Sequence, residues 1–300
     1  MAFERELFAG SGVALVTPFS DAGVNEEVLR ELVRFHLREG SDALVVNGST
    51  GEAPTMTPDE QRRAVACVVE ECGGALPVIA GAGGSDTAAV CKLALAARQA
   101  GADAVLVSPP SYNKPSQLGI AAHFRAVLDL ADLPLVLYNV PGRTACNVLP
   151  ETVEALADDS RLVGVKEASG DISQVAELAR RVGNRVAIYS GNDDQIVPLL
   201  ALGGRGVISV LANVAPAATS RMVHAFLEGE TGEAAALQLR YLPLIHLLFS
   251  EPNPVPVKAG VGELGFVVGP VRLPLLEASE ETREALRVML ERLELPGAAA

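Results

Sequence analysis

Lys166 closes the apolar run Leu162-Val163-Gly164-Val165 and is followed by Glu167-Ala168-Ser169-Gly170. A near-continuous apolar run is how a strand buried on both faces of a parallel sheet reads. Lysine is among the residue types least often buried. Taking an amine out of water favours its neutral form, and a neutral amine against apolar walls attacks ketones. The chemistry open to this stretch is therefore Schiff-base formation. The chain holds only Lys92, Lys114, Lys166 and Lys258, with arginine supplying the remaining cations. Solvation alone does not call for lysine at this place.

Other reactive side chains also follow short apolar runs. Tyr138 ends Leu135-Val136-Leu137 and can pass protons while an imine or a C–C bond forms. Gly48-Ser49-Thr50-Gly51 can turn backbone N–H groups toward a carboxylate, as glycine-rich turns do. Ser49 and Tyr112 can link Tyr138 to bulk solvent. Arg143, five residues past Tyr138, offers a planar fork for a second carboxylate. Gly191 and Ile208-Ser209 lie at the ends of two later runs. Taken singly, each has a plainer role: a strand-end tyrosine is often an amphipathic packer, and an exposed arginine solvates a loop. Their shared position is what argues for a site.

The positioning elements follow from periodicity. Apolar runs at 12–18, 43–46, 77–80, 104–107, 135–138, 162–165, 186–189 and 206–210 read as strands. Helical spacing fills 26–38, 58–72, 86–100, 116–130, 150–157, 172–182, 194–202 and 217–228. Strands alternating with helices of this length imply parallel pairing through right-handed crossovers. Eight such units close most economically into a (β/α)8 TIM barrel, whose reactive groups collect at the carboxyl ends of the strands. A doubly wound open sheet is the alternative. The alternation stops after Gly229, so residues 1–228 read as a catalytic barrel and 229–300 as a small C-terminal helical region. There, 233–249 and part of 276–293 are helical, Pro252 to Pro256 is a rigid connection, and 296–300 is a frayed tail.

Composition narrows the function. An apolar fraction of 49% without tryptophan implies a core of Val, Leu, Ile and Ala. A formal charge of −13 and a pI near 4.8 argue against nucleic acid, which is bound mainly through cations on phosphate. Cys67, Cys72, Cys91 and Cys146 lack metal spacing and read as reduced packers, which fits a cytoplasmic protein. Met1 to Glu6 lacks the signal-peptide pattern. No apolar run reaches the ~20 residues a membrane span needs. A metal-dependent aldolase would want His or carboxylates at strand ends, but His36, His123, His224 and His246 fall inside helical spans. Gly81-Ala82-Gly83-Gly84 resembles part of a dinucleotide turn without its full spacing or its acidic partner, and reads as a loop. Asp193 and Asp194 read as caps of the next helix.

The motifs Gly48-Ser49-Thr50-Gly51-Glu52, Tyr138-Asn139-Val140-Pro141-Gly142-Arg143-Thr144, Gly164-Val165-Lys166-Glu167-Ala168, Tyr189-Ser190-Gly191 and Gly206-Val207-Ile208-Ser209-Val210 resemble the pyruvate-dependent class I lyases and aldolases. That family includes dihydrodipicolinate synthase and N-acetylneuraminate lyase. Arg143 and Pro252-Asn253-Pro254-Val255-Pro256-Val257-Lys258 are similar to the synthase branch. The resemblance implies that Lys166 forms a Schiff base with pyruvate and needs no other cofactor and no metal. Tyr138 is then the proton donor and acceptor, with Ser49 and Tyr112 in its relay. Thr50, the backbone at Ile208, and Gly191 line the pyruvate site, and Arg143 holds the carboxylate of aspartate 4-semialdehyde. The product would be 4-hydroxy-tetrahydrodipicolinate, on the way to diaminopimelate and lysine. The expected assembly is a homotetramer, a dimer of dimers, with Tyr112 reaching across an interface and neither nucleic acid nor membrane as partner. Another 2-oxo acid aldolase of the family, acting on a different aldehyde, is the alternative. A non-catalytic keto-acid-binding barrel is a third reading.

The departures are specific. Ser49 stands where the synthases usually carry threonine, and Ser111 where a second tyrosine is common. Pro58, Gln61, Ser85 and Ala89 stand near the positions from which lysine-inhibited members line their effector site. None of the four suits an α-amino acid, so weak or absent inhibition by lysine is expected.

Overall fold

The structure is a computed structural model and describes residues 5–295. The tail 296–300 and the first four residues of the N-terminal segment lie outside them. Eight parallel strands close on themselves: β1 Gly10–Ala14, β2 Ala43–Val46, β3 Val78–Gly81, β4 Ala104–Val107, β5 Leu135–Asn139, β6 Leu162–Glu167, β7 Ala187–Ser190 and β8 Gly206–Ser209. Each pairs with the next, and β8 pairs with β1 through Gly10↔Gly206 to Val13↔Ser209. The crossovers are α1 Glu26–Arg38, α2 Pro58–Cys72, α3 Thr87–Gln99, α4 Gln117–Ala131, α5 Pro150–Leu156, α6 Ile172–Val182, α7 Ile196–Ala201 and α8 Pro216–Leu227. The expected (β/α)8 barrel is the observed one.

Local chemistry sets the boundaries. Asp86 and Ser116, read as first helical residues, are instead N-caps whose side chains accept backbone N–H bonds. Thr57 and Glu60 complete a reciprocal capping box at α2. The first strand ends at Ala14 rather than Pro18, because the chain leaves the barrel for a short hairpin, Phe19–Ser20 against Gly23–Val24.

Side chains alternate between two cores. Outward residues such as Leu44, Val46, Val105, Leu137 and Val165 pack under the helices. Inward residues, among them Ala43, Val45, Ile79, Ala104, Val136, Ala187, Tyr189 and Ile208, fill the barrel. Its amino-terminal end is plugged by Phe8, stacked on Tyr189 with ring centroids 4.4 Å apart. The Tyr189 hydroxyl donates to the Phe8 carbonyl at 2.7 Å. Gly164 makes room for this stack, since a Cβ there would meet a Tyr189 ring carbon at 2.9 Å.

The C-terminal region is α9 Thr231–Leu248, α10 Val255–Glu263 and α11 Glu280–Arg292. The segment read as a rigid connection therefore enters a helix at Val255. Pro256 occupies the first turn of α10, where a missing N–H breaks no intrahelical bond. Tyr241, Leu244, Ile245, Val257, Val261 and Leu286 form an apolar layer with Val16, Leu32, Phe35 and Leu211 of the barrel.

Candidate active site

Period two sends Tyr138 and Lys166 into the barrel, while their neighbours Asn139 and Glu167 point outward. The two inward residues are register partners on β5 and β6. Lys166 is 5% exposed, and its Nζ lies 4.4 Å from the Tyr138 ring centroid. Burial lowers the Lys166 pKa from the usual 10.5 to about 8; Asp193 opposes the fall and Arg143 adds to it. Burial raises the Tyr138 pKa, with the Arg143 charge and a hydrogen bond to the Ser49 side chain acting against the rise.

The outward neighbours hold these two strand ends. Glu167 accepts from Asn139 Nδ2 at 3.0 and 3.2 Å, from Ser169 N at 2.7 Å and from Gln174 Nε2 at 3.3 Å. Asn139 also donates to Asn147 at 2.8 Å. β6 therefore extends through Glu167, past the lysine that was expected to end it.

Lys166, Tyr138, Ser49, Thr50, Arg143 and Gly191 converge on one inner pocket of about 80 Å³. Above it opens a cavity of about 660 Å³ that shares Ser49, Tyr138, Arg143 and Asn253. Gly191 is needed for space: a Cβ there would lie 2.6 Å from the Ala168 Cβ and 3.1 Å from Lys166 Cε. Ile208 is fully buried on β8 and points into the barrel core. Arg143 is exposed at the mouth, in the single helical turn Pro141–Thr144. Its Nη2 donates to the Asn253 carbonyl at 3.2 Å.

Tyr112 is not brought to this pocket. Its side chain is 88% exposed on the loop after β4, with φ of 70°. Asp193 corrects another expectation. Its Oδ2 accepts from Val210 N at 3.0 Å and Leu211 N at 2.8 Å, so it caps the turn after β8 rather than its own helix. Burial raises its pKa, and the Lys166 charge pulls the other way.

Four residues were missed as parts of the site. Glu52, quoted only within a motif, is buried with φ of 56°. Its carboxylate accepts from Lys258 Nζ and from Arg272 N, each at 2.8 Å. Asn253 Nδ2 donates to Thr50 Oγ1 at 3.0 Å. The three donors come from the C-terminal region, more than two hundred residues from their partners for Lys258, Arg272 and Asn253 alike. No local spacing announces such contacts, although the segment holding Asn253 and Lys258 stood out as a motif.

The family model described as "Dihydrodipicolinate synthetase family" matches residues 7–293. The chain belongs to that family. It is 50% identical over 287 residues to a 4-hydroxy-tetrahydrodipicolinate synthase of Thermoanaerobacter sp. (strain X514), covering 95% of this chain and 97% of the relative. A 4-hydroxy-tetrahydrodipicolinate synthase of Clostridium perfringens (strain ATCC 13124) is 49% identical over 274 residues, 91% of this chain and 94% of that one. The crystal structure of dihydrodipicolinate synthase from Thermotoga maritima superposes with a TM-score of 0.93 at 42% identity, covering 96% of this chain and 99% of that chain. Among the described residues, no cluster of three or more His, Cys, Asp or Glu could hold a metal ion. No helix among them is long and apolar enough to cross a membrane.

Proposed function

We propose that the chain condenses pyruvate with L-aspartate 4-semialdehyde to 4-hydroxy-tetrahydrodipicolinate, through a Schiff base on Lys166. The observation that carries this reading is the buried Lys166 amine, with its lowered pKa, set against Tyr138 beneath the Arg143 guanidinium. Lys166 Nζ attacks the keto carbon of pyruvate, and loss of water leaves a protonated imine. Tyr138 delivers the proton that lets water depart, then removes one from the methyl carbon to give the enamine. The enamine carbon attacks the aldehyde carbon of the semialdehyde. The substrate's own amine then displaces Lys166 from the imine carbon, which closes the ring and frees the enzyme.

Thr50 and the backbone at Ile208 hold pyruvate, and Gly191 leaves the lysine room to swing. Arg143, with two parallel donors at the mouth, takes the carboxylate of the semialdehyde. Ser49 connects Tyr138 to solvent. The working assembly is a cytoplasmic homotetramer, a dimer of dimers, in which Tyr112 completes the proton relay of a neighbouring subunit. Its 88% exposure in the single chain leaves the ring available for that. Of the two spans 1–228 and 229–300, the described part of the first is the catalytic barrel and the described part of the second a helical region that braces it.

Borohydride trapping with pyruvate tests the reading. Mass spectrometry is expected to find one adduct on the peptide holding Lys166, and turnover with the semialdehyde follows. Trapping without that turnover would point to a different aldehyde. No adduct at neutral pH would leave only a keto-acid-binding barrel. Sedimentation at micromolar concentration reads the assembly.

A further inference from the structure

The geometry assigns Asn253 as a positioning residue that aims the Thr50 hydroxyl at the keto acid. The inference rests on the function proposed above, in which Thr50 holds pyruvate. Thr50 and Asn253 are both buried, at 3% and 7% exposure, and both line the inner pocket with Lys166. A hydroxyl has one proton to give and lone pairs with which to accept. Asn253 Nδ2 donates to Thr50 Oγ1 at 3.0 Å, so a lone pair is already engaged. Among the described residues, the Thr50 hydroxyl donates to no protein acceptor. Its proton is left for a ligand, and a carboxylate is the strongest acceptor the proposed substrate brings.

Asn253 is itself held on two sides. Its carbonyl accepts from Arg143 Nη2 at 3.2 Å. Five residues on, Lys258 Nζ donates to Glu52, two residues past Thr50 in the same turn. One asparagine from outside the barrel therefore stands between the two carboxylate subsites. Its side chain serves the inner one, and its main chain serves the outer one. A side-chain substitution at Asn253 removes the first contact and leaves the second acceptor in place.

That asymmetry gives the test. The pyruvate concentration that half-saturates borohydride trapping is measured in the parent, Asn253→Ala, Thr50→Val and the double variant. The KM for the semialdehyde is measured at saturating pyruvate. Asn253→Ala is expected to raise the pyruvate half-saturation by about 5- to 20-fold, the range of a hydrogen bond to a charged group lost in part. The semialdehyde KM should stay within about threefold, because the Arg143 contact is to main chain. In the Thr50→Val background, Asn253→Ala should cost no further pyruvate affinity, the signature of two residues acting through one contact. Additive losses, or parallel rises for both substrates, would overturn the assignment, since mere loosening of the C-terminal region acts on both. If Asn253→Ala fails to fold, the near-isosteric Asn253→Asp replaces it. An ionised carboxylate cannot donate to Thr50, so its pyruvate defect relative to the parent should shrink as pH falls and its carboxyl is protonated. A defect independent of pH would overturn the assignment equally. A parent that traps no pyruvate would instead sink the proposed function, so the two failures are distinguishable.

Discussion

The Lys166 amine lies over the Tyr138 ring, 4.4 Å from its centroid, and the two residues are partners across adjacent parallel strands. The proposed nucleophile and proton carrier are thus fixed by sheet register. A one-residue slip between β5 and β6 would send one of them out of the barrel.

Burial of Lys166 carries a stability cost that its removal should reveal. A pKa lowered from 10.5 to about 8 corresponds to about 3 kcal/mol against the folded state at pH 7, at roughly 1.4 kcal/mol per tenfold change in proton affinity. The sign follows from proton binding. Between pH 8 and 10.5 the unfolded chain holds more protons at this site, so its contribution to stability improves as pH rises through that window. Lys166→Met is expected to abolish borohydride trapping while raising the melting temperature at pH 7. Differential scanning calorimetry reads the second effect. In the parent, the trapping rate should climb with pH and level off above about 8.

Tyr138→Phe keeps the ring that packs on Lys166 and deletes only the hydroxyl of the proposed proton carrier. Turnover should fall by about 10²- to 10⁴-fold, the usual contribution of a positioned acid–base group. The pyruvate half-saturation measured by trapping at equilibrium should change far less. Steady-state rates beside trapping curves separate the two.

Arg143→Ala should raise the semialdehyde KM by about 10- to 100-fold for a lost charge-assisted pair and spare pyruvate capture. Equal damage to both substrates, seen in initial rates at varied concentrations, would remove Arg143 from the acceptor's subsite.

The Glu52–Lys258 pair is buried on both sides, with side chains 1% and 3% exposed. Burial lowers the Lys258 pKa while Glu52 opposes the fall. Lys258 also donates to the Pro270 carbonyl at 2.8 Å and sits 4.2 Å from the Phe19 ring centroid. Lys258→Ala leaves the Glu52 charge buried with one donor lost, and should destabilise by about 3–5 kcal/mol. Urea denaturation checks it, and a change below about 1 kcal/mol would refute the pair's part in stability.

L-Lysine should inhibit weakly or not at all. Gln61 and Ser85 line the larger cavity, but Gln61 spends its amide on the Ala53 and Met56 carbonyls at 2.9 and 3.4 Å. Pro58 and Ala89 are exposed on the surface and do not line it. A sub-millimolar inhibition constant in an initial-rate assay would refute the expectation.

The barrel was legible because each of its strands is a short apolar run and each crossover has helical spacing. Lys166, Tyr138, Ser49, Thr50, Arg143 and Gly191 were legible because strand ends are countable along the chain. What escaped depends on partners distant in sequence. Glu167 continues β6 because Asn139 and Ser190 pair with it on the two neighbouring strands. Asp193 looked like a local cap, yet its partners are Val210 and Leu211. The three prolines at 252, 254 and 256 suggested a break and concealed the start of α10. The direction of Tyr112 cannot be read from spacing; only the family resemblance points it outward, across an interface, and its ring is exposed.

The Phe8–Tyr189 stack makes the barrel a blind shaft. The mouth where Arg143 stands leads to the inner pocket that holds Lys166. In the proposed reaction the smaller guest descends first, because an aldehyde seated at Arg143 would bar the stair. The order of entry in that reaction is thereby set by architecture, and what climbs back out is a single joined product.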